Sequence, residues 1–393
     1  MINALGSELN QISERLFSAD AEFNPLSTDT NLLSDQEQCL VGRVKTELEP
    51  LPNAYSHLDS RFARMLFFLY QQIQDSVDEL KSVFGAERIG VVLGSSTSGI
   101  DTSEPAFEYE YQNKQFPDWY TYFHQEIGSG SAFLASLAGA RGPAFTISTA
   151  CSSSAKVFKS AENLLSLDVC DAVIVGGVDA LCKMTLRGFK SLQLVSPTRS
   201  NPMSKNRNGL NIGEGGALFT LIRSPFGIQV RGVGESSDAY HVSSPQPDGL
   251  GAAAAMEQAL SSAGASAENV RYVNMHGTGT SFNDSMESKA IARVVGCSTP
   301  CSSTKPLTGH LLGASGATEI GFCMLSLLNK TEKKPLPAHI WDQQRDDTLP
   351  DIMLASASSS IDFRPEEDLI LTNSFAFGGS NCCVALGLGE VPE

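Results

Sequence analysis

Apolar residues recur along the chain in two periods. Between 60 and 84, Phe62, Met65, Leu66, Leu69, Ile73, Val77 and Leu80 fall three and four apart, which predicts a long amphipathic helix. At 89–93, Ile-Gly-Val-Val-Leu runs without a polar break between glycines, which predicts a buried strand. Further strand-like runs stand at 172–178, 217–222, 228–233, 270–275, 369–373 and 382–388. Helical spacing returns at 133–140, 155–167, 251–264, 284–295 and 314–328. Strands alternating with helices indicate a layered α/β fold. Each half runs strand, small-residue turn, helix, strand. The chain therefore divides into halves 1–226 and 227–393, with no residue-level repeat between them.

Four stretches break the pattern. Residues 2–16 read as a loop entering a helix, with Leu9, Ile12 and Leu16 on one face and no strand before them. Residues 20–56 are polar and contain proline, which predicts a surface excursion. Residues 101–123 are aromatic-rich and irregular, with Phe107, Tyr109, Tyr111, Phe116, Trp119 and Tyr120 among them. They read as a loop cluster packed on a partner or on the core, or as a channel lining. Residues 195–216 form a turn-rich loop that ends Gly213-Glu214-Gly215-Gly216.

Composition narrows the function classes. The chain has 393 residues, 41% hydrophobic and 18% charged, with a formal charge of −16. That balance argues against nucleic-acid binding, and an acidic partner would need a local basic patch. No apolar run reaches membrane-span length and no export signal opens the chain, so no membrane insertion and a cytoplasmic location are expected. Nine scattered cysteines then read as reduced thiols. Cys297 and Cys301 lack a second ligand pair, so no metal site is expected.

One cysteine stands apart. Cys151 follows the apolar run Phe145–Ile147 and precedes a helical run, so it sits at a strand-to-helix turn. Helix N–H groups and dipole favour a thiolate there, while a buried inert thiol is the equal alternative. Among six histidines, His276 and His310 occupy small-residue turns that packing alone does not require, in His276-Gly-Thr-Gly-Thr and Lys305-Pro-Leu-Thr-Gly-His310. Each alone reads as a hydrogen-bonded structural histidine. One cysteine and two histidines on separate turns form a different pattern, because nucleophile and acid–base groups assemble from distant segments.

With Thr149-Ala-Cys151-Ser-Ser, these two histidine segments and Asn373-Ser-Phe-Ala-Phe-Gly-Gly-Ser-Asn381, the chain resembles the β-ketoacyl-acyl-carrier-protein synthases of the thiolase superfamily over residues 2–389. Asp238-Ala-Tyr-His241 and Gly213-Glu-Gly-Gly216 match in order. The resemblance implies a thiolase-like five-layered αβαβα fold of two pseudo-duplicated halves. The first carries the nucleophile, and the second carries the two histidines and a phenylalanine gate. It implies decarboxylative Claisen condensation of an acyl group on Cys151 with malonyl carrier protein.

Backbone N–H groups of Cys151 and Phe377 would form the oxyanion hole, and His276 and His310 would hold the enolate. Lys305 and Glu319 would tune the site, with Asp284 in a supporting role. Thr278 and Thr280 would bind the phosphopantetheine arm, or be turn hydroxyls. Phe377 would gate, with Phe375 beside it, and His241 would lie near the mouth without doing chemistry. No bound cofactor is implied, since substrates ride on the phosphopantetheine of acyl carrier protein.

The implied partners are that carrier and a second subunit, either another copy or a ketosynthase-like chain-length factor. Arg61 and Arg64 stand where the family docks its carrier, or are solvated helix charges. Two departures stand out: the missing first strand, through truncation or a sheet lacking that strand, and segment 100–135. The His-Gly-Thr-Gly-Thr variant resembles ketosynthases of bacterial aryl polyene clusters. A non-catalytic partner subunit, a thiolase and a cysteine hydrolase are the competing classes. Cys151 together with both histidines disfavours them.

Overall fold

The structure is a computed structural model that describes residues 1–34 and 36–390, so 391–393 of the second half lie outside the described residues. Its elements, in chain order, begin with α1 (Leu9–Ser18), β1 (Ser27–Asp29), β2 (Cys39–Val41), α2 (Arg61–Phe84), β3 (Ile89–Gly94), α3 (Ile100–Asn113) and α4 (Ser129–Ala138). They continue with β4 (Ala144–Ile147), α5 (Ser153–Ser166), β5 (Ala172–Asp179), α6 (Lys183–Ser191), β6 (Gly215–Ile222), β7 (Ile228–Ser237) and α7 (Leu250–Ser262). The remainder are β8 (Val270–Asn274), α8 (Ser281–Val294), β9 (Cys301–Ser302), α9 (Lys305–Thr308), α10 (Ser315–Leu328), β10 (Lys334–Pro335), β11 (Ser360–Ile361), β12 (Leu369–Phe375) and β13 (Ser380–Leu388).

The uninterrupted apolar runs became interior strands because both their faces are covered. One sheet has the order β4-β3-β5-β6, with β3 parallel to β4 and β5, and β6 antiparallel. The other has the order β7-β13-β12-β8-β9. On β3, Ile89, Val91 and Leu93 face α2 and α4, in a cluster with Leu66, Leu69 and Phe133. The alternate residue Val92, with Val173 and Val175 of β5, faces inward onto Ala155, Phe158 and Ile320 of α5 and α10. The second sheet meets those helices with Ile370, Cys382 and Val384, and meets α7 and α8 with Leu369, Leu371 and Cys383.

Period-two alternation thus sorts each strand between two helical layers, which makes the expected five-layered thiolase-like α/β fold. Every residue of β5 is buried. Burying each large aliphatic side chain contributes about 1.5–3 kcal/mol, and Ile174→Ala would lose about 2–5 kcal/mol.

α5 and α10 form the middle layer and approach closely. A Cβ on Gly316 would lie 2.6 Å from the Ala155 nitrogen, so glycine is needed there. Both helices start at the same end of the molecule, which fixes where the chemistry sits.

Two expectations need correction. Residues 100–113 are helical and not irregular; Pro105 lies inside this helix, and only Ser103 and Ala106 are buried. Its aromatics point outward, so no apolar stripe marked it. The 20–56 excursion pairs β1 with β2 and buries Leu26, Leu33, Val41, Val44 and Leu51, so much of it is core. At the start of the chain, Ile2 exchanges both backbone hydrogen bonds with Gly216, which joins the opening residues to β6. Among the described residues, no helix is long and apolar enough to cross a membrane.

Candidate active site

Cys151 lies in the turn from β4 into α5. Ala150 adopts φ 50°, a left-handed conformation that turns the next residue toward the helix axis. The turn is held by its own hydroxyls. The Thr149 N–H donates to Ser153 Oγ at 2.9 Å, Ser152 Oγ donates to the Thr149 carbonyl at 2.9 Å, and Ser96 Oγ donates to the Ala150 carbonyl at 3.0 Å. The thiol is buried. Burial pushes it up to about 11, while Lys305 and the backbone N–H groups of Phe377 and Cys151 pull it down. Desolvation therefore outweighs the thiolate-favouring helix terminus, and the resting group is a thiol.

His276 follows β8, and its N–H donates to Glu287 Oε1 at 2.7 Å. The Gly277 N–H donates to Glu287 Oε2, also at 2.7 Å. Gly277 has φ 40°, and a Cβ there would meet the Ser303 side chain at 2.5 Å. The His-Gly-Thr-Gly turn is thus shaped both by conformation and by space. His310 is fixed by Ser315 Oγ, 2.9 Å from Nδ1, and by backbone bonds to Asn211 and Gly213. The imidazoles meet edge to face, centroids 5.2 Å apart at 83°. Burial, then the Lys305 charge, holds both well below the usual histidine range, so both rings are neutral.

A sulfur and two ring nitrogens, from Cys151, His276 and His310, lie within 4.8 Å of one another. These three atoms are also a donor set that a thiophilic divalent ion would accept.

Lys305 on α9 donates to Glu319 Oε1 on α10 at 2.5 Å, and both are buried. Asp284 accepts from the Met203 N–H at 2.8 Å and the Gly279 N–H at 3.2 Å, so it ties a neighbouring loop to the histidine turn. Thr278 and Thr280 line the cavity and bond each other at 2.9 Å. Phe375 packs 6.3 Å from the His276 ring, and Phe377 packs 5.3 Å from Phe189 on α6. Gly378 and Gly379 follow with φ 79° and 72°. The cavity holds about 250 Å³ and is lined by Cys151, His276, His310 and Phe377.

Three further candidates lie outside the reacting trio. His241 is exposed and accepts from the N–H groups of Ser243 and Ser244 through Nδ1. Arg61 makes a bidentate pair with buried Glu214, at 2.8 and 2.6 Å, and Arg64 pairs with Asp59. Arg61 is thus tied to a buried acid, whereas the Arg64–Asp59 pair is half-exposed. Sequence reasoning missed Glu287, Ser315 and Phe189. For Glu287 a signal existed, since it lies one helical turn after Asp284 on α8.

The chain was compared with known proteins. The family described as beta-ketoacyl synthase, N-terminal domain, matches residues 27–225, and its C-terminal domain matches 228–337. The 3-oxoacyl-[acyl-carrier-protein] synthase 2 of Vibrio cholerae serotype O1 is 31% identical over 333 residues, 79% of this chain and 78% of that protein. Nodulation protein E of Rhizobium meliloti is 30% identical over 76% of this chain and 75% of its own length. A chain of the ketosynthase ApeO in complex with its chain length factor ApeC, from Xenorhabdus doucetiae, superposes with a TM-score of 0.90 at 42% identity, covering 99% of this chain and 96% of that one. The ishigamide ketosynthase/chain length factor matches at 22% identity and TM-score 0.84, which speaks to fold alone. A cysteine at the head of one middle-layer helix, faced by two neutral histidines, is set in a chain that belongs to the β-ketoacyl synthase family.

Proposed function

We propose that the protein is an elongating β-ketoacyl-acyl-carrier-protein synthase. One observation carries the reading: Cys151, His276 and His310 converge within 4.8 Å in the lining of one cavity. Cys151 Sγ attacks an acyl thioester of the carrier. The S–acyl bond to the carrier breaks, its thiol leaves, and the Cys151 proton passes to a neutral imidazole or to the leaving sulfur. The N–H groups of Cys151 and Phe377 face the oxyanion that forms. Malonyl carrier protein then loses CO2. His276 and His310 donate hydrogen bonds to the thioester enolate oxygen, and its carbon attacks the acyl–Cys151 carbonyl. A C–C bond forms, the C–S bond to Cys151 breaks, and Cys151 leaves as a thiolate that takes a proton back from an imidazolium or from water.

Lys305, held by Glu319, supplies a positive field that favours both the thiolate and neutral histidines. Asp284 supports the turn that carries Thr278 and Thr280, whose hydroxyls face the phosphopantetheine arm. Phe377, with Phe375 beside it, gates the cavity, and Gly378 and Gly379 supply the hinge freedom. Residues 1–226 and 227–393 act as two halves that meet at this cavity.

The partners are acyl carrier protein and a second ketosynthase-type subunit, and the setting is cytoplasmic. The resemblance to ApeO and the His276-Gly-Thr-Gly-Thr segment favour an aryl polyene pathway. Cys151→Gln should retain malonyl decarboxylation, because both histidines still hold the enolate, and adding His310→Ala should abolish it. Equal CO2 release from the two proteins would refute these roles.

A further inference from the structure

Asp179 closes β5, and none of the roles above uses it. It is fully buried. Its Oδ1 accepts from Ser95 Oγ at 2.7 Å, the Ser96 N–H at 2.9 Å, the Thr97 N–H at 2.8 Å and Thr97 Oγ1 at 2.8 Å. Its Oδ2 accepts from the Ala314 N–H at 3.0 Å and, more weakly, from Ser96 at 3.2 Å. These donors belong to two segments that lead to opposite sides of the site. Ser96 passes its own Oγ–H to the carbonyl of Ala150, the left-handed residue that aims Cys151. Ala314 precedes Ser315, whose hydroxyl fixes His310. Gly313 lets this turn close on the carboxylate, since a Cβ there would lie 2.7 Å from Asp179 Oδ2.

We propose that Asp179 is a positioning residue: by gripping Ser96 and Ala314 with one carboxylate, it holds the Cys151 turn and the His310 segment in register without touching substrate. A carboxylate accepts at both oxygens, whereas an amide turns an NH2 toward donors that are already buried, so no neutral side chain of this size can replace it. Its negative charge also pushes the Cys151 thiol up, against Lys305. This inference rests on the ketosynthase reading and names a further residue of the same site.

The test compares Asp179→Asn and Ser96→Ala. Acyl transfer onto Cys151 is followed by intact mass. CO2 release from malonyl carrier is followed in a Cys151→Gln background, and iodoacetamide alkylation of Cys151 is followed against pH. The groups facing the thiol, Lys305, His276 and His310, are unchanged throughout.

Asp179→Asn should slow both half-reactions, on the order of tenfold to a hundredfold, as small misplacements of reacting groups do. It should also move the alkylation midpoint to lower pH. Ser96→Ala, which cuts only the branch to Ala150, should slow acyl transfer and spare decarboxylation. Wild-type rates in a folded Asp179→Asn protein, or slowing with an unmoved alkylation profile, overturn the proposal. If that variant does not fold, Ser96→Ala decides: equal slowing of both half-reactions, or of neither, overturns it. A wild-type protein that never acylates at Cys151 overturns the ketosynthase reading instead.

Discussion

At the scale of single residues, the site is a set of buried ionisable groups whose charge states are chosen by their neighbours. His339 shows this outside the reacting trio. It accepts from the Ser303 N–H through Nδ1 at 3.1 Å and meets the Pro202 carbonyl through Nε2 at 3.0 Å, so it is the neutral Nε2–H tautomer. Burial lowers it to about 4. The unfolded chain binds the proton near pH 6.5 and the folded one only near 4. Its contribution is therefore present above about 6.5 and is lost as pH falls through the folded value, up to about 3 kcal/mol in all. The stability gap between wild type and His339→Gln should narrow as pH falls from about 6.5 to 4, measured by urea unfolding. A gap that does not depend on pH contradicts this.

Cys151, His276 and His310 were legible in the sequence because large or reactive side chains stood out among small ones. Asp179 was not, because a buried acid and a solvated acid are the same letter, and Glu287 offered only its helical spacing from Asp284. Only the fold shows five donors converging on one and two loop N–H groups on the other.

At the scale of elements, the chemistry depends on two helices meeting at their first turns. α5 carries Cys151 at its head and α10 follows His310, and the Ala317 N–H donates to Ser154 Oγ at 2.9 Å between them. Gly316→Ala would drive a methyl into the Ala155 backbone and part the helices. It should cost about 1–3 kcal/mol. Acyl transfer should fall with it, because the nucleophile and His310 move apart. Gly188→Ala in α6, with nothing within 4 Å of the added Cβ, is the matched control and should change neither. Equal behaviour of the two variants in thermal melts and acylation rates would contradict the close-approach argument.

The interior strands were legible as elements because both their faces are covered. α3 was not, because its aromatics face outward and leave no periodic stripe. β4 was legible as the apolar run Phe145–Ile147, but its place in the sheet was not: Phe145 is 37% exposed.

At the scale of the whole molecule, that exposure has a structural origin. β4 is the outer strand of the first sheet and bonds only β3 among the described strands. Its free backbone edge is a template for pairing. Phe107, Tyr111, Phe116, Trp119 and Tyr122 are exposed in the same half, which fits a chain that works as one of two subunits. Sedimentation should show a dimer, with itself or with a ketosynthase-type partner, and Phe145→Lys should shift it toward monomer. An unchanged profile would place the interface elsewhere. The −16 charge means that carrier docking needs a local basic patch or apolar contact, and Arg61 is already tied to buried Glu214.

The central claim is that Cys151 receives an acyl group that the two histidines then help to extend. Its most direct test is intact-mass and peptide mass spectrometry of the protein, with any co-purifying subunit, after incubation with an acyl-loaded carrier protein. The account predicts one acyl mass, located on Cys151, absent from Cys151→Ala and discharged on adding malonyl carrier with a product two carbons longer on the carrier. Acyl transfer that persists in Cys151→Ala, or that maps to another side chain, would contradict it.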